Sequence, residues 1–117
     1  MHNFKELNSW IEAKNFSVLI YKLTLKFPSS EVYGITSQIK RAAVSIPSNI
    51  AEGAGRSTNK DFSRFISIAL GSAFELETQL LIAQELNFTS NEEVGELLVK
   101  LNKIQKMLVN FQKHLNK

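Results

Sequence analysis

From Val94 to Leu115 one apolar series runs Val94, Leu97, Leu101, Ile104, Leu108, Phe111 and Leu115, a steady alternation of three and four steps. Residues three or four apart share one face of a helix, whereas successive residues of a strand alternate faces. This rhythm therefore confines the segment to a helix, and it is the a/d pattern of left-handed helix packing. Similar spacing occurs three more times, and no alternating stretch long enough for a strand stands out.

The spacing predicts helices over about 3–26, 30–54, 58–86 and 91–116. In the first, Leu7, Ile11, Val18, Tyr21 and Leu25 form one apolar stripe, and Trp10, Ala13, Phe16, Ile20 and Leu23 form a second beside it. Pro28 ends this helix, because the residue before a proline avoids the α region. The second helix carries Ile35, Ile39, Ala42, Ala43, Ile46 and Ile50. The third carries Phe62, Phe65, Ile66, Ala69, Ala73, Leu76, Leu80 and Ala83, with Leu70, Phe74 and Leu81 off that line. Thr58 with Asp61 and Ser90 with Glu93 read as capping boxes opening the third and fourth helices, each carboxylate reaching back to its cap. Acids early in the fourth helix (Glu92, Glu93, Glu96) and lysines late (Lys106, Lys113, Lys117) suit the helix dipole. Short connections make sequential helices antiparallel neighbours. The expected fold is all-α, an antiparallel up-down-up-down four-helix bundle in one domain over 1–117. The extra apolar faces of helices one and three fit a filled core or burial against copies of the same chain, and Trp10, Leu70 and Phe74 favour a homo-oligomer.

Pro47 lies inside the second helix. It cannot donate to Ala43, so a kink is expected, with Ser45 or Ser48 serving the freed backbone groups. Gly53 and Gly55 are expected to stop the helix in the left-handed conformation.

The composition excludes several chemistries. There is no cysteine, which removes disulfides, thiolate metal sites and cysteine nucleophiles. The two histidines, His2 and His114, sit near the chain ends, and neither follows a glutamate at di-metal spacing. Glu52, Glu75 and Glu77 remain as carboxylates without such partners. The chain is expected to be no enzyme and to use no cofactor and no metal. Its amphipathic start has no secretory h-region, and no run approaches the ~20 apolar residues of a membrane span, so a cytoplasmic protein with no membrane partner is expected.

The stretch VSIPSNIAEGAGRS, residues 44–57, resembles a phosphate loop at first sight. Its GAG is a lone GxG after a helix rather than a strand, with Thr58 at the third glycine position, so nucleotide binding is not expected. On a helical wheel Gln38, Arg41, Ser45, Ser48, Asn49, Glu52 and Arg56 form one polar stripe. Arg64, Ser67, Gly71, Glu75, Thr78 and Gln79 form another on the third helix. The stripe is a solvated face, a ligand site or a structural polar network. Its short side chains favour a network drawn from Arg41, Ser45, Asn49, Glu52, Arg56, Glu75 and Gln79, with Arg64 able to join.

The segments SIPSNIAEG (45–53), GRS (55–57), DFSRF (61–65), Gly71-Ser72 and ELETQL (75–80) resemble the four-helix bundle proteins of the bacterial 23S rRNA intervening-sequence protein family. The resemblance covers nearly the whole chain. It implies a homopentamer, and a fold similar to the accessory variability proteins of diversity-generating retroelements, basic pentameric barrels that bind nucleic acid. The family name carries no defined reaction.

Net charge is +3 and the sequence pI is near 9.3. Five copies would carry about +15, a field that attracts phosphate. Lys22, Lys26, Lys40, Arg41, Arg56, Lys60 and Arg64 are the candidate contacts of a nucleic-acid-binding oligomer, RNA above all. Against this, no RNA-binding signature is present and the aromatics look committed to the core. The alternative is a protein–protein scaffold that binds no nucleic acid.

Overall fold

A computed structural model describes residues 2–117. Among the described residues the chain forms four α-helices and no strand: α1 (Asn8–Thr24), α2 (Ile35–Ala54), α3 (Asn59–Glu85) and α4 (Asn91–Leu115). Each helix packs on the next in sequence, and α1 also packs on α4. Seen end-on they form a ring, with α1 diagonal to α3, in a body of 44 × 24 × 20 Å. Phe16 and Ile20 from α1, Ile39, Ile46 and Ile50 from α2, Phe62, Ile66, Leu76 and Leu80 from α3, and Leu101, Ile104 and Leu108 from α4 fill the centre.

The two early helices begin later than their periodicity suggests. Phe4–Glu6 form a separate 3-10 turn, capped by Asn3 Oδ1 on the Lys5 amide, and extended Leu7 breaks it from α1. The broken segment is still pinned: the His2 amide donates to Ala54 O at 2.9 Å, and Phe4 meets Trp10 edge-on at 5.1 Å. Similarly, Ser29–Glu31 form a 3-10 turn and α2 starts after Gly34. Of the two stripes on α1, Ala13, Phe16, Ile20 and Leu23 enter the core, while Ile11, Val18, Tyr21 and Leu25 face solvent.

Helix α3 runs longest, and it corrects one expectation. By length and composition alone it could cross a membrane, with mean hydropathy 1.4 over its most apolar window. Phe62, Ile66, Ala69, Ala73, Leu76 and Leu80 line the shared core, while Ile68, Phe74, Leu81 and Ile82 are exposed. It opens with Thr58 Oγ1 accepting from the Asp61 amide at 3.1 Å. The Asp61 carboxylate turns outward to Arg64 instead of to its cap, whereas Glu93 returns to its cap, accepting from Ser90 Oγ at 3.3 Å, and also meets Lys26. Asn87, at φ 61°, closes α3: its amide donates to Gln84 O and the Phe88 amide to Ala83 O, which satisfies the last carbonyls. Phe88 then packs on Phe27 at 5.8 Å.

Two expectations about α2 change. Neither Gly53 nor Gly55 has a positive φ. Gly53 lies within the helix, where an added Cβ would fall 2.7 Å from Phe62 Cδ1 and 2.8 Å from Phe65 Cβ, so this glycine permits close approach of α3. The carbonyl freed by Pro47 is that of Ala43, and it receives Ser17 Oγ of α1 at 2.9 Å, not Ser45 or Ser48. Ser45 is occupied on the α3 side instead.

Candidate nucleic-acid interface

The seven candidate cations do not gather into one patch. Lys22 from the last turn of α1 and Lys26 from just beyond it project towards α4, where they flank an open cleft of about 280 Å³ floored by Leu19, Leu23 and Leu97. Lys26 Nζ meets Glu93 Oε2 at 2.6 Å. That hydrogen bond, and the ammonium charge behind it, hold the Glu93 carboxyl below its ordinary value of 4.5, with Ser90 adding to the effect. Lys40 turns to α1 and sits 5.0 Å from the centroid of the half-exposed Tyr21 ring. Arg41, the next residue, faces α3.

Arg56, Lys60 and Arg64 cluster at the α2–α3 turn. The guanidinium carbons of Arg56 and Arg64 each lie 4.5 Å from the Phe65 centroid. Asp61 binds both, at 3.0 Å to Arg64 and 3.7 Å to Arg56, and Glu52 adds a contact to Arg56 at 3.0 Å. Two cations thus share two acids and one ring, which holds them still and lowers the local field. The close approach at Gly53 sets this arrangement, because it lets Phe65 sit against α2. Among the described residues Lys22, Lys40, Arg41 and Lys60 form no ion pair.

The polar stripe divides into pieces. Ser45 Oγ and Ser72 Oγ are 2.9 Å apart across the α2–α3 seam, and Asn49 Nδ2 donates to Ser45 O and Ser45 Oγ. This buttress keeps the two helices close. Glu52 and Arg56 belong to the turn cluster. Gln79 Nε2 approaches Glu75 Oε1 at 3.5 Å. Arg41 makes no side-chain hydrogen bond among the described residues, and joins Gln38, Glu75, Thr78 and Gln79 only as walls of an open recess of about 530 Å³. A second polar seam takes Ser67 from the α3 stripe towards α4: Gln105 donates to Glu77 at 2.8 Å, and Gln112 to Ser63 O at 2.9 Å and Ser67 Oγ at 2.6 Å, tying α4 to α3. Glutamines interrupting the apolar rhythm of α4 were its sequence signal.

Aromatics are more available than the sequence suggested. Tyr33, in the α1–α2 turn, is 96% exposed, and Phe74 on α3 is 52% exposed. Tyrosine in a connection escapes a helical wheel, which is why periodicity missed it. Leu25 is 82% exposed and continues the outward line of Ile11 and Val18. No group of three or more histidine and carboxylate side chains stands close enough to hold a metal ion among the described residues.

The 23S rRNA-intervening sequence protein family model matches residues 5–110. Among curated proteins, none matches the chain. A crystal structure of a protein of unknown function from the S23 ribosomal protein family of Bacteroides thetaiotaomicron superposes with a TM-score of 0.81. The two sequences are 25% identical, over 90% of this chain and 98% of that one. With the family model spanning most of its length and a family structure matching its fold, the chain belongs to the 23S rRNA-intervening sequence protein family.

Proposed function

We propose that the protein is a non-enzymatic, oligomeric four-helix bundle that binds nucleic acid, RNA above all, in the cytoplasm. The observation that carries this reading is the set of cations without acid partners, Lys22, Lys40, Arg41 and Lys60, with Tyr21 exposed beneath Lys40. A cation over a solvent-facing ring offers both a phosphate contact and a surface for an unstacked base. The family name adds an association with rRNA genes.

The up-down-up-down course is supported by the cross-helix contacts. Glu77 meets Gln105 while the earlier Ser63 meets the later Gln112, and Glu12 meets Lys103 while the later Lys26 meets the earlier Glu93, so α4 runs antiparallel to both α3 and α1. Assembly is supported by two apolar patches on diagonal helices. Ile11, Val18 and Leu25 face out from α1, and Phe74 and Leu81 from α3. Different patches on opposite sides suit head-to-tail contacts, which close into a ring when the rotation allows. A homopentamer fits this geometry, and light scattering near 66 kDa, five copies of 13.2 kDa, tests it against the monomer mass.

The same patches favour a second reading, a scaffold that recruits another protein. A titration of labelled structured RNA over a salt series separates the two. Nucleic-acid binding predicts affinity that falls log-linearly with salt. No binding at low salt, or binding without a salt slope, refutes it, and a stoichiometric protein partner that survives nuclease treatment supports the scaffold.

A further inference from the structure

The recess on the α2–α3 seam holds two opposite charges that the chain leaves unanswered. Arg41 enters it from α2 and Glu75 from α3, and they form no ion pair with each other. Glu75 meets only the Gln79 amide, at the long limit of a hydrogen bond. Gln79 is only 7% exposed, and its Oε1 has no partner. Its amide orientation is set by Glu75, since exchanging nitrogen and oxygen would place two acceptors face to face. A buried acceptor without a donor is uncommon, and this one is closed to solvent, whereas Arg41 and Glu75 are exposed.

The complement of this recess is a planar group that accepts hydrogen bonds along one edge and donates along another. The geometry points to an unstacked guanine base of a single-stranded nucleic acid, an assignment that rests on the nucleic-acid reading above. Guanine O6 and N7 accept from the Arg41 guanidinium, arginine's commonest base contact. The N1–H and N2–H₂ groups donate to the two Glu75 carboxylate oxygens. Gln79 Nε2 stays on Glu75 and holds that carboxylate in place for the base. The open mouth leaves sugar and phosphates in solvent.

Selectivity follows from the donors and acceptors. Adenine places an amino donor where Arg41 requires an acceptor and has no N1 proton for Glu75. Cytosine turns an acceptor towards the carboxylate. Uracil keeps only one of the two carboxylate bonds. Bidentate pairs of this kind discriminate between bases by about tenfold or more.

Fluorescence anisotropy with short adenine-rich strands tests this, comparing isolated guanines with adenine or inosine at the same positions. The guanine strand is expected to bind at least ~10-fold more tightly than the adenine strand, with inosine between because it lacks N2. Glu75→Gln should collapse that ratio. Glu77→Gln, which faces Gln105 of α4, should keep it. Equal affinity for all strands, with a normal salt slope, overturns the guanine site and leaves the RNA reading standing. If no strand binds, that reading fails, and a thermal-shift comparison of GMP with AMP decides the recess: a GMP preference sustains the site, and none overturns it. A fall in assembly mass in Glu75→Gln places a second copy of the chain there and also overturns it.

Discussion

Replacing Ser17 by alanine tests how α2 tolerates a proline. Pro47 has no N–H, so Ala43 O loses its helical donor. Ser17 Oγ stands 2.9 Å from that oxygen and 3.0 Å from Ala13 O. A hydroxyl carries one proton. Ala13 O lies within the unbroken ladder of α1, so the proton matters most at Ala43. The seam is closed to water: Ser17 and Ala43 are both buried. Ser17→Ala removes a hydrogen bond of about 1 kcal/mol net and leaves a desolvated carbonyl at about 1–3 kcal/mol. The expected loss is about 2 kcal/mol, which for a chain of this length lowers the melting temperature by about 8 °C. A packing defect at Ser17 would also destabilise, so the decisive comparison is Ser17→Ala in a Pro47→Ala background. There the backbone amide restored at position 47 can serve Ala43 O, and the serine substitution should cost at least about 1 kcal/mol less. Urea unfolding at one fixed protomer concentration measures both, since assembly would otherwise shift the midpoint. Equal costs in the two backgrounds refute the pairing of Ser17 with the proline.

Gly53→Ala should destabilise by about 1–2 kcal/mol despite better helix propensity, because its Cβ would meet the Phe62 ring and Phe65 Cβ; a gain in urea midpoint would overturn the close-approach reading. Lys26→Gln should raise the Glu93 pKa, followed by carboxyl-carbon NMR. Because the folded carboxyl is held low, its contribution to stability is present above about pH 4.5 and is lost as pH falls through the folded value. An acid-unfolding profile identical in both proteins would remove any role for this ion pair in stability. Val18→Glu with Leu25→Glu should reduce a multimer to smaller species in light scattering without loss of helical circular dichroism, and an unchanged mass would place the interface elsewhere. Lys40→Gln with Arg41→Gln should weaken RNA binding and flatten its salt slope by about one to two phosphate contacts.

The architecture was legible because burial obeys periodicity. Along α4, Val94, Leu97, Leu101, Ile104, Leu108 and Leu115 are all buried, and Phe111 packs at the edge of the core. Helix starts were less legible where tertiary contacts replace a cap. Phe4 and Leu7 pack against the core from outside α1, so their spacing imitated a helix. Pro47 was placed correctly inside α2, but the donor to its freed carbonyl and the role of Gly53 were misread for a related reason: their partners, Ser17 and Phe62, come from other helices. A wheel reports one helix at a time. At the candidate site charge was visible in the sequence, but spacing allows more pairs than form: Arg64 takes Asp61 three residues back on its own helix, and Arg56 takes Glu52 four residues back and Asp61 across the turn. Arg56 and Arg64 look equivalent to Arg41 on a wheel, yet Asp61 and Phe65 engage the first two and nothing engages the third.

Assembly and anion binding in this fold draw on forces that salt moves in opposite directions. Apolar patches such as Ile11, Val18 and Leu25 associate more strongly as kosmotropic salt rises. Phosphate contacts by Lys22, Lys40, Arg41 and Lys60 weaken as salt rises, because releasing counterions into a saltier solution gains less entropy. A ring would multiply the charge of +3 per chain while using apolar surface to hold itself together. On the proposed reading, a ring would therefore persist under conditions that release RNA. If mass and RNA affinity instead fell together with salt, charged contacts would be holding the copies together. Lys22, Lys40, Arg41 and Lys60, which form no ion pair within the chain among the described residues, would then be the first to substitute.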